Sequence, residues 1–343
     1  MAAAHAGSFL VPDVQPWPLQ GGFLGVDLFF VLSGFLITGL LLAELDARRR
    51  IRLGRFYGRR LMRLVPALVG LLAAHWVYTL IVNYSVSSEW NATLYALTFS
   101  SNWQVTLGID PAVDVPLDLL HLWTLGIEAQ FYLVWPLLLW LIHRVSPSGR
   151  NLVAWIGGAI AVVVVVRALE FNAWDEPALV YTRFDTRADA LLVGALLAVL
   201  VARGVRPPAH VERALAWIAG AGLVVALVFA YPAAPSLYWG GFTLVALGGA
   251  LLIARAFDGR SPLARVLSTR PLRAIGLASY SIYLWHLPLF IWSVRIDSIP
   301  LRLIVAFGLT AVASAASYAL LERPYMRRRG RVPSRPKVAR ETA

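Results

Sequence analysis

The sequence predicts an all-α protein, a polytopic transmembrane helical bundle. Three observations carry that prediction. Of 343 residues, 59% are hydrophobic and only 15% charged, whereas soluble chains hold about 45–50% apolar and about 25% charged residues. The mean hydropathy of +0.67 leaves no room for a large water-soluble domain. The apolar residues also fall into blocks of roughly 17–25, the length that crosses about 30 Å of hydrocarbon, with arginines gathered between the blocks.

Nine blocks qualify as full spans, near 21–42, 64–82, 119–142, 152–169, 187–202, 213–230, 238–254, 275–294 and 301–321. Helices satisfy every backbone group within one segment, so a bundle is the economical way to hold them in lipid. The blocks at 187–202 and 213–230 have the weakest pattern. The stretch 91–103 is apolar but short, and is expected as a re-entrant or surface helix. Arginine sets the direction of each crossing. The loop after the first block holds Arg48, Arg49, Arg50, Arg52, Arg55, Arg59, Arg60 and Arg63, and is expected inside. The loop 83–118 has neither Lys nor Arg but carries Glu89, Asp110, Asp114 and Asp118, and is expected outside. Basic residues recur at Arg144 and Arg150, Arg203 to Arg213, Arg255 to Arg273, and Arg323 to Arg340. The alternation closes over nine crossings, with the C-terminus cytoplasmic.

Residues 1–10 are apolar and uncharged, too short to span and lacking the charged start of a signal peptide. They are expected to be the outer end of a further, truncated first span. A complete protein would then have ten spans. No internal repeat or domain boundary is visible in 1–326, and the basic segment 327–343 is expected as a cytoplasmic tail.

The net charge of +12 could suit nucleic acid, but short Arg runs between apolar blocks are topogenic charge, so no nucleic-acid partner is expected. The chain has no Cys, hence no thiolate nucleophile and no Cys-ligated zinc. Its six His have no close ligand spacing, and no metal is expected. Phosphate-cradling glycine loops are absent. Ser33-Gly34 is too slight for a nucleophile elbow, because its surroundings form one continuous helical pattern.

Ionisable groups within spans are costly and therefore candidates for function. They are Asp27, His75, His121, Glu128, Asp185, Arg187, Asp189, His286 and Glu322. For His75, Asp185 and Glu322, snorkelling to the interface explains their positions equally well. His121 and Glu128 are seven residues apart, on one helix face about 10.5 Å apart. A carboxylate there serves either an interhelical bond or a water-filled cavity. Arg60 and Arg63 share a face of the helix entering the next block, with Arg59 one turn from both Arg55 and Arg63. Such a cluster suits phosphates or anionic headgroups.

The segment Gly22-Phe-Leu-Gly-Val-Asp-Leu-Phe-Phe-Val-Leu-Ser-Gly-Phe-Leu-Ile-Thr38 resembles the signature of the acyltransferase-3 family, bacterial multi-span O-acyltransferases that modify sugars of the cell envelope and of macrolide-type metabolites. Five more segments resemble the family in order. They begin at Arg55 (Arg-Phe-Tyr-Gly-Arg-Arg-Leu-Met-Arg), His121 (His-Leu-Trp-Thr-Leu-Gly-Ile-Glu), Arg183 (Arg-Phe-Asp-Thr-Arg-Ala-Asp), Ser279 (Ser-Tyr-Ser-Ile-Tyr-Leu-Trp-His) and Glu322 (Glu-Arg-Pro). The resemblance implies a ten-span acyltransferase domain over 1–326 in the bacterial cytoplasmic (inner) membrane. It implies acyl transfer, usually of acetyl, from acyl-CoA as a co-substrate with no resident cofactor. It also implies, as acceptor, a hydroxyl of a carbohydrate, glycolipid or glycosylated metabolite. His5 resembles the family's first-helix His, whose Arg partner would fall upstream of Met1, as a late-placed start would explain. Where family members often read Ser-x-Glu-Glu, this chain has Gly126-Ile-Glu128-Ala129.

The resemblance makes His5 the expected general base, since an imidazole with pKa of about 6.5 suits deprotonation of a hydroxyl at neutral pH. Glu128 is the expected supporting catalytic carboxylate. Arg55, Arg59, Arg60 and Arg63 are expected to bind the CoA phosphates. Asp27, His121, Asp185 and His286 are expected to bind substrate. Two other functions fit the same buried polar groups, a flippase for a lipid-linked or acylated glycan and an inactive truncated acyltransferase.

Overall fold

A computed structural model describes residues 20–82, 86–106, 116–145, 151–173 and 177–327. His5 and most of the tail 327–343 lie outside the described residues. Every regular element among the described residues is helical. A 3₁₀ turn (Gln20–Leu24) leads into α1 (Gly25–Arg48), and α2 (Leu53–Val82) follows. Two short helices, α3 (Val86–Leu97) and α4 (Ser101–Thr106), occupy the stretch expected not to cross. The next long helices are α5 (Trp123–Val145) and α6 (Leu152–Ala173), then a short α7 (Pro177–Tyr181) and α8 (Phe184–Ala202). After α9 (Ala209–Phe229) comes α10 (Phe242–Phe257), preceded by a turn at Leu237–Gly241 that is kinked at Gly240, whose φ is 137°. Two short helices follow, α11 (Pro262–Leu267) and α12 (Arg270–Leu277). The last are α13 (Ser279–Ser293) and α14 (Ile299–Ser317), the latter running through a π turn at Tyr318–Glu322 into α15 (Arg323–Arg327).

A helix falls on each of the nine predicted blocks. Seven are long and apolar enough to cross a membrane, and α12 with α13 makes an eighth if the bent pair counts as one span. The chain is a multi-pass membrane protein. Two blocks differ from the sequence expectation for physical reasons. The block at 275–294 is not one straight helix, because α12 and α13 meet at 71°. Arg270 and Arg273 alternate with Leu272 and Ile275 on α12, none of its residues is buried, and a short helix of that kind lies along an interface. The block at 187–202 is the second difference. α8 carries Asp185, Arg187 and Asp189 in its first turns, so it is not an apolar span by composition. It is instead the centre of the bundle, packed most extensively against α1 and next against α6. Lipid need not accept Arg187 and Asp189, because other helices enclose both, whereas Asp185 in the first turn is exposed.

Glycines set how close α1 and α8 come. A Cβ on Gly34 would collide with the Leu191 carbonyl oxygen, and one on Gly194 with the Val31 carbonyl oxygen. This reciprocal backbone contact is the small-residue packing that helices use in lipid, where no hydrophobic force drives them together.

The ends of the helices sort as the charge pattern predicts. Asp46 and Arg49 of α1's end, His143 of α5, Leu152 of α6 and Arg203 after α8 line one cavity, so these ends share a side. Arg206–Asp258 (2.7 Å) and Arg255–Glu212 (3.2 Å) join the start of α9 to the end of α10. The opposite side is held by His75, whose ring nitrogens lie 2.7 Å from Asp118 and 2.7 Å from Glu89. Trp292 of α13 donates to the same Asp118 oxygen at 3.0 Å.

Candidate active site

The site starts from one carboxylate. Glu128 lies in the second turn of α5 and is only 3% exposed. A buried carboxylate in a membrane needs donors, and two hydroxyls supply them. Ser33 of α1 and Tyr132, one turn further along α5, both donate to Glu128 Oε1, and the two hydroxyls also contact each other. Ser33 sits inside the unbroken α1, as its sequence context predicts, so it donates to a carboxylate rather than standing on a strained turn.

Beside Glu128 opens a cavity of about 270 Å³ lined by Ser33, Arg60, Arg63, Glu128, Tyr132 and Tyr280, with apolar side chains of α1. α2 begins at Leu53 and is 30 residues long. Its length, about 45 Å, exceeds the hydrocarbon thickness, and its arginine-bearing turns come level with the middle of α5. Tyr57 donates to the Leu133 carbonyl at 2.9 Å, which fixes that register. The Arg60 guanidinium lies 5.3 Å from the Tyr132 ring centre and 5.7 Å from that of Phe56, within cation–π range. Tyr280 closes the wall by donating to the Leu64 carbonyl at 2.8 Å. Its place at the corner where α12 turns into α13 puts Gly276 and Ser279 on the rim.

A second cavity of about 230 Å³ shares Phe29 and Ser279 with the first and is lined by Thr124, Tyr283 and His286. Its polar groups are linked. Thr124 and Tyr283 join through their hydroxyls, Tyr283 donates to the His121 carbonyl, and His121 Nε2 lies 3.1 Å from the Leu284 carbonyl. The His121 and His286 rings are 5.4 Å apart, edge to face. Residues 124, 128 and 132 therefore form one polar stripe along α5, about 12 Å long, with His121 in the 3₁₀ turn just before it. Beyond it, at the acid-lined side, stands the Asp118–His75–Glu89 cluster.

The predicted residues divide accordingly. Glu128, Arg60 and Arg63 meet at one cavity, and His286 lines its neighbour with the His121 ring packed against it. Arg59 reaches Glu44 at 4.0 Å and Arg55 is exposed, so neither lines the Glu128 cavity. Asp27 is fully buried and pairs with Arg187 at 2.9 Å. Asp185 is exposed and pairs with Arg183 at 2.5 Å. The Asp185 carboxylate holds the Arg183 guanidinium above its ordinary pKa. Sequence reasoning assigned no role to Ser33, Tyr132, Tyr280 or Tyr283. The only sequence signal was that Tyr132 lies four residues from Glu128, on the same face.

A family profile described as an acyltransferase domain matches residues 1–322. The chain belongs to the acyltransferase-3 family. Among similar proteins, the chain is 34% identical over 326 residues to "O-acetyltransferase OatA" of Staphylococcus aureus (strain NCTC 8325 / PS 47), covering 91% of this chain and 54% of that protein. It is 31% identical over 319 residues to "Peptidoglycan O-acetyltransferase OatA" of Listeria monocytogenes, covering 89% and 51%. It is 32% identical over 323 residues to "Putative peptidoglycan O-acetyltransferase YrhL" of Bacillus subtilis, covering 89% and 50%. The chain thus spans about half the length of the curated relatives it matches. No solved structure matches it.

Proposed function

We propose that this chain is a membrane O-acyltransferase that moves an acyl group, acetyl by the names of its relatives, from acyl-CoA to a hydroxyl of a cell-envelope carbohydrate such as peptidoglycan. The observation that supports it best is the meeting of Glu128 with Arg60 and Arg63 at one cavity, in the family whose members carry acyl groups. The two guanidiniums lie on the arginine-rich side, taken as cytoplasmic, and are suited to the phosphates of CoA. The neighbouring cavity and the polar stripe on α5 lie between Glu128 and the acid-lined side, from which an envelope acceptor would enter.

In this reading the acceptor hydroxyl gives its proton to the His5 imidazole as its oxygen attacks the thioester carbonyl. The tetrahedral intermediate collapses, the C–S bond breaks, and the departing CoA sulfur takes the proton back from the imidazolium. Glu128, held by Ser33 and Tyr132, orients the imidazole or the acceptor. His121 and His286 line the acceptor's route.

The test uses the full chain, extended upstream if the gene allows, in proteoliposomes with acetyl-CoA labelled in the acetyl group. In parallel, envelope glycans of a deletion strain complemented with each variant are compared by mass spectrometry. Acetyl loss on deletion, its return with the wild type, and a KM for acetyl-CoA raised about ten-fold or more in Arg60→Gln or Arg63→Gln are expected. Acetylation unchanged by deletion, with a glycan instead mislocalised, would overturn the transferase in favour of a flippase.

A further inference from the structure

On the arginine-rich side, away from the Glu128 cavity, α9, α10 and α11 enclose a groove of about 660 Å³. That volume falls in the usual range of ligand sites, about 300–1,000 Å³, and is more than twice that of the Glu128 cavity. Its floor is apolar, formed by Gly220 and Trp217 of α9, Leu252 of α10 and Leu263 of α11, and its mouth carries Arg213 and Arg255. α9 is the most peripheral of the membrane-length helices, with none of its apolar window buried inside the bundle. Among the described residues no further helix covers α9 on that side, which leaves the groove open to the bilayer.

We infer that this groove binds an anionic glycerophospholipid, with the phosphate between Arg213 and Arg255 and an acyl chain lying along Trp217, Gly220 and Leu252. Charge complementarity selects that occupant. Arg255 is partly neutralised by Glu212 at 3.2 Å, while Arg213 has no carboxylate partner among the described residues. The mouth so keeps net positive charge at the end of the bundle where anionic headgroups collect. From Arg213 to Gly220 is seven residues, about 10.5 Å along the helix, so the charge stands at headgroup depth when Gly220 lies among the chains. Trp217 is 76% exposed beside the arginine, where an indole anchors at the interface. Gly220 supplies the depth, since a Cβ added there meets nothing within 4 Å. The inference does not depend on the transferase reading.

The test is native mass spectrometry of the full chain released from micelles containing equal phosphatidylglycerol and phosphatidylcholine. Wild type is expected to retain phosphatidylglycerol at least five-fold over phosphatidylcholine. Arg213→Gln should lower that preference about five-fold and leave phosphatidylcholine retention unchanged, as expected for one arginine near a phosphate. Gly220→Leu, which fills the groove from open space, should lower retention of both lipids, whereas Gly220→Ala should retain them. Should Gly220→Leu not elute as a monodisperse species, Arg213→Gln decides alone. Equal retention of the two lipids by wild type, or wild-type preference in Arg213→Gln, overturns the inference. So does displacement of the lipid by millimolar inorganic phosphate, which would mark a site for the free anion.

Discussion

Replacing Asp27 with Asn should unfold the bundle before it alters any chemistry. Asp27 is 0% exposed and Arg187 is 1% exposed, and their ion pair is 2.9 Å long in the heart of the α1–α8 contact. The Arg187 guanidinium also lies 3.8 Å from the Phe242 ring centre and 4.8 Å from that of Tyr181, and the Asp189 carboxylate, already paired with Arg167 at 2.9 Å, is its other acidic neighbour. Removing one member of a buried pair leaves the other charge uncompensated and costs about 3–5 kcal/mol. That corresponds to a loss of roughly 10²–10⁴-fold in the folded-to-unfolded ratio, against total stabilities of about 5–15 kcal/mol. Replacing both partners by apolar residues of similar volume is often neutral or stabilising, so Asp27→Leu with Arg187→Met should recover most of the loss. The assay is unfolding in mixed micelles by a graded denaturing detergent, read by tryptophan fluorescence, with acetyl transfer measured on the fraction that stays folded. The structural account fails if Asp27→Asn keeps wild-type stability while transfer falls a hundred-fold. Asp27 would then act on substrate.

Three further outcomes are expected. Glu128→Gln keeps the shape and the hydrogen-bonding oxygen but removes the charge, and transfer should fall at least 10²-fold with the protein still folded. Tyr132→Phe leaves Ser33 as a donor and should cost only about ten-fold, so equal losses in the two variants would argue against Glu128 as the acting group. Gly34→Leu should prevent α1 from seating on α8, giving aggregated or degraded protein, while Gly39→Leu on the same helix, where a Cβ meets nothing within 4 Å, should elute normally. Arg206 holds the Asp258 carboxyl below its ordinary pKa, so this pair adds stability above the unfolded pKa of about 4 and loses it as pH falls through the lower folded value. Arg206 is 51% exposed, solvent screening limits the pair to about 0–1 kcal/mol, and Asp258→Asn should shift detergent unfolding at pH 7 barely, and not at all at pH 2.

The sequence displayed the membrane class and the place of each helix because hydropathy and arginine placement are local signals. The broken span was not visible, since the 71° bend between Leu277 and Ser279 falls inside a stretch, 275–294, whose summed hydropathy stays high. The block at 187–202 looked weak for the very residues that make it central. A window counts Arg187 and Asp189 as costs in lipid, but Asp27 and Arg167 answer them at 2.9 Å each. Arg167, one arginine inside Val162-Val-Val-Val-Val-Arg-Ala-Leu169, was passed over among the in-span charges, and its partner lies on another helix. In the site, Glu128 stood out because a carboxylate in a span is expensive. Ser33, Tyr132 and Tyr280 did not, because hydroxyls in a span are cheap and common.

Two sets of intramembrane arginines thus share one bundle, and their surroundings separate them. Arg167 bonds to Asp189, Thr243, the Tyr238 carbonyl and the Thr186 carbonyl, and Arg187 pairs with Asp27 between two rings. Neither lines a described cavity, and a guanidinium enclosed in this way can only hold helices together. Arg60 and Arg63 have no carboxylate ion pair among the described residues. They face an open volume with Glu128 across it, at a depth reached only because α2 runs longer than the bilayer needs. Two guanidiniums facing a single carboxylate across a cavity leave excess positive charge, a cost that folding alone gives no reason to keep. An anionic ligand that arrives from the same side would offset it, and the phosphates of an acyl-CoA have the charge and the geometry to do so.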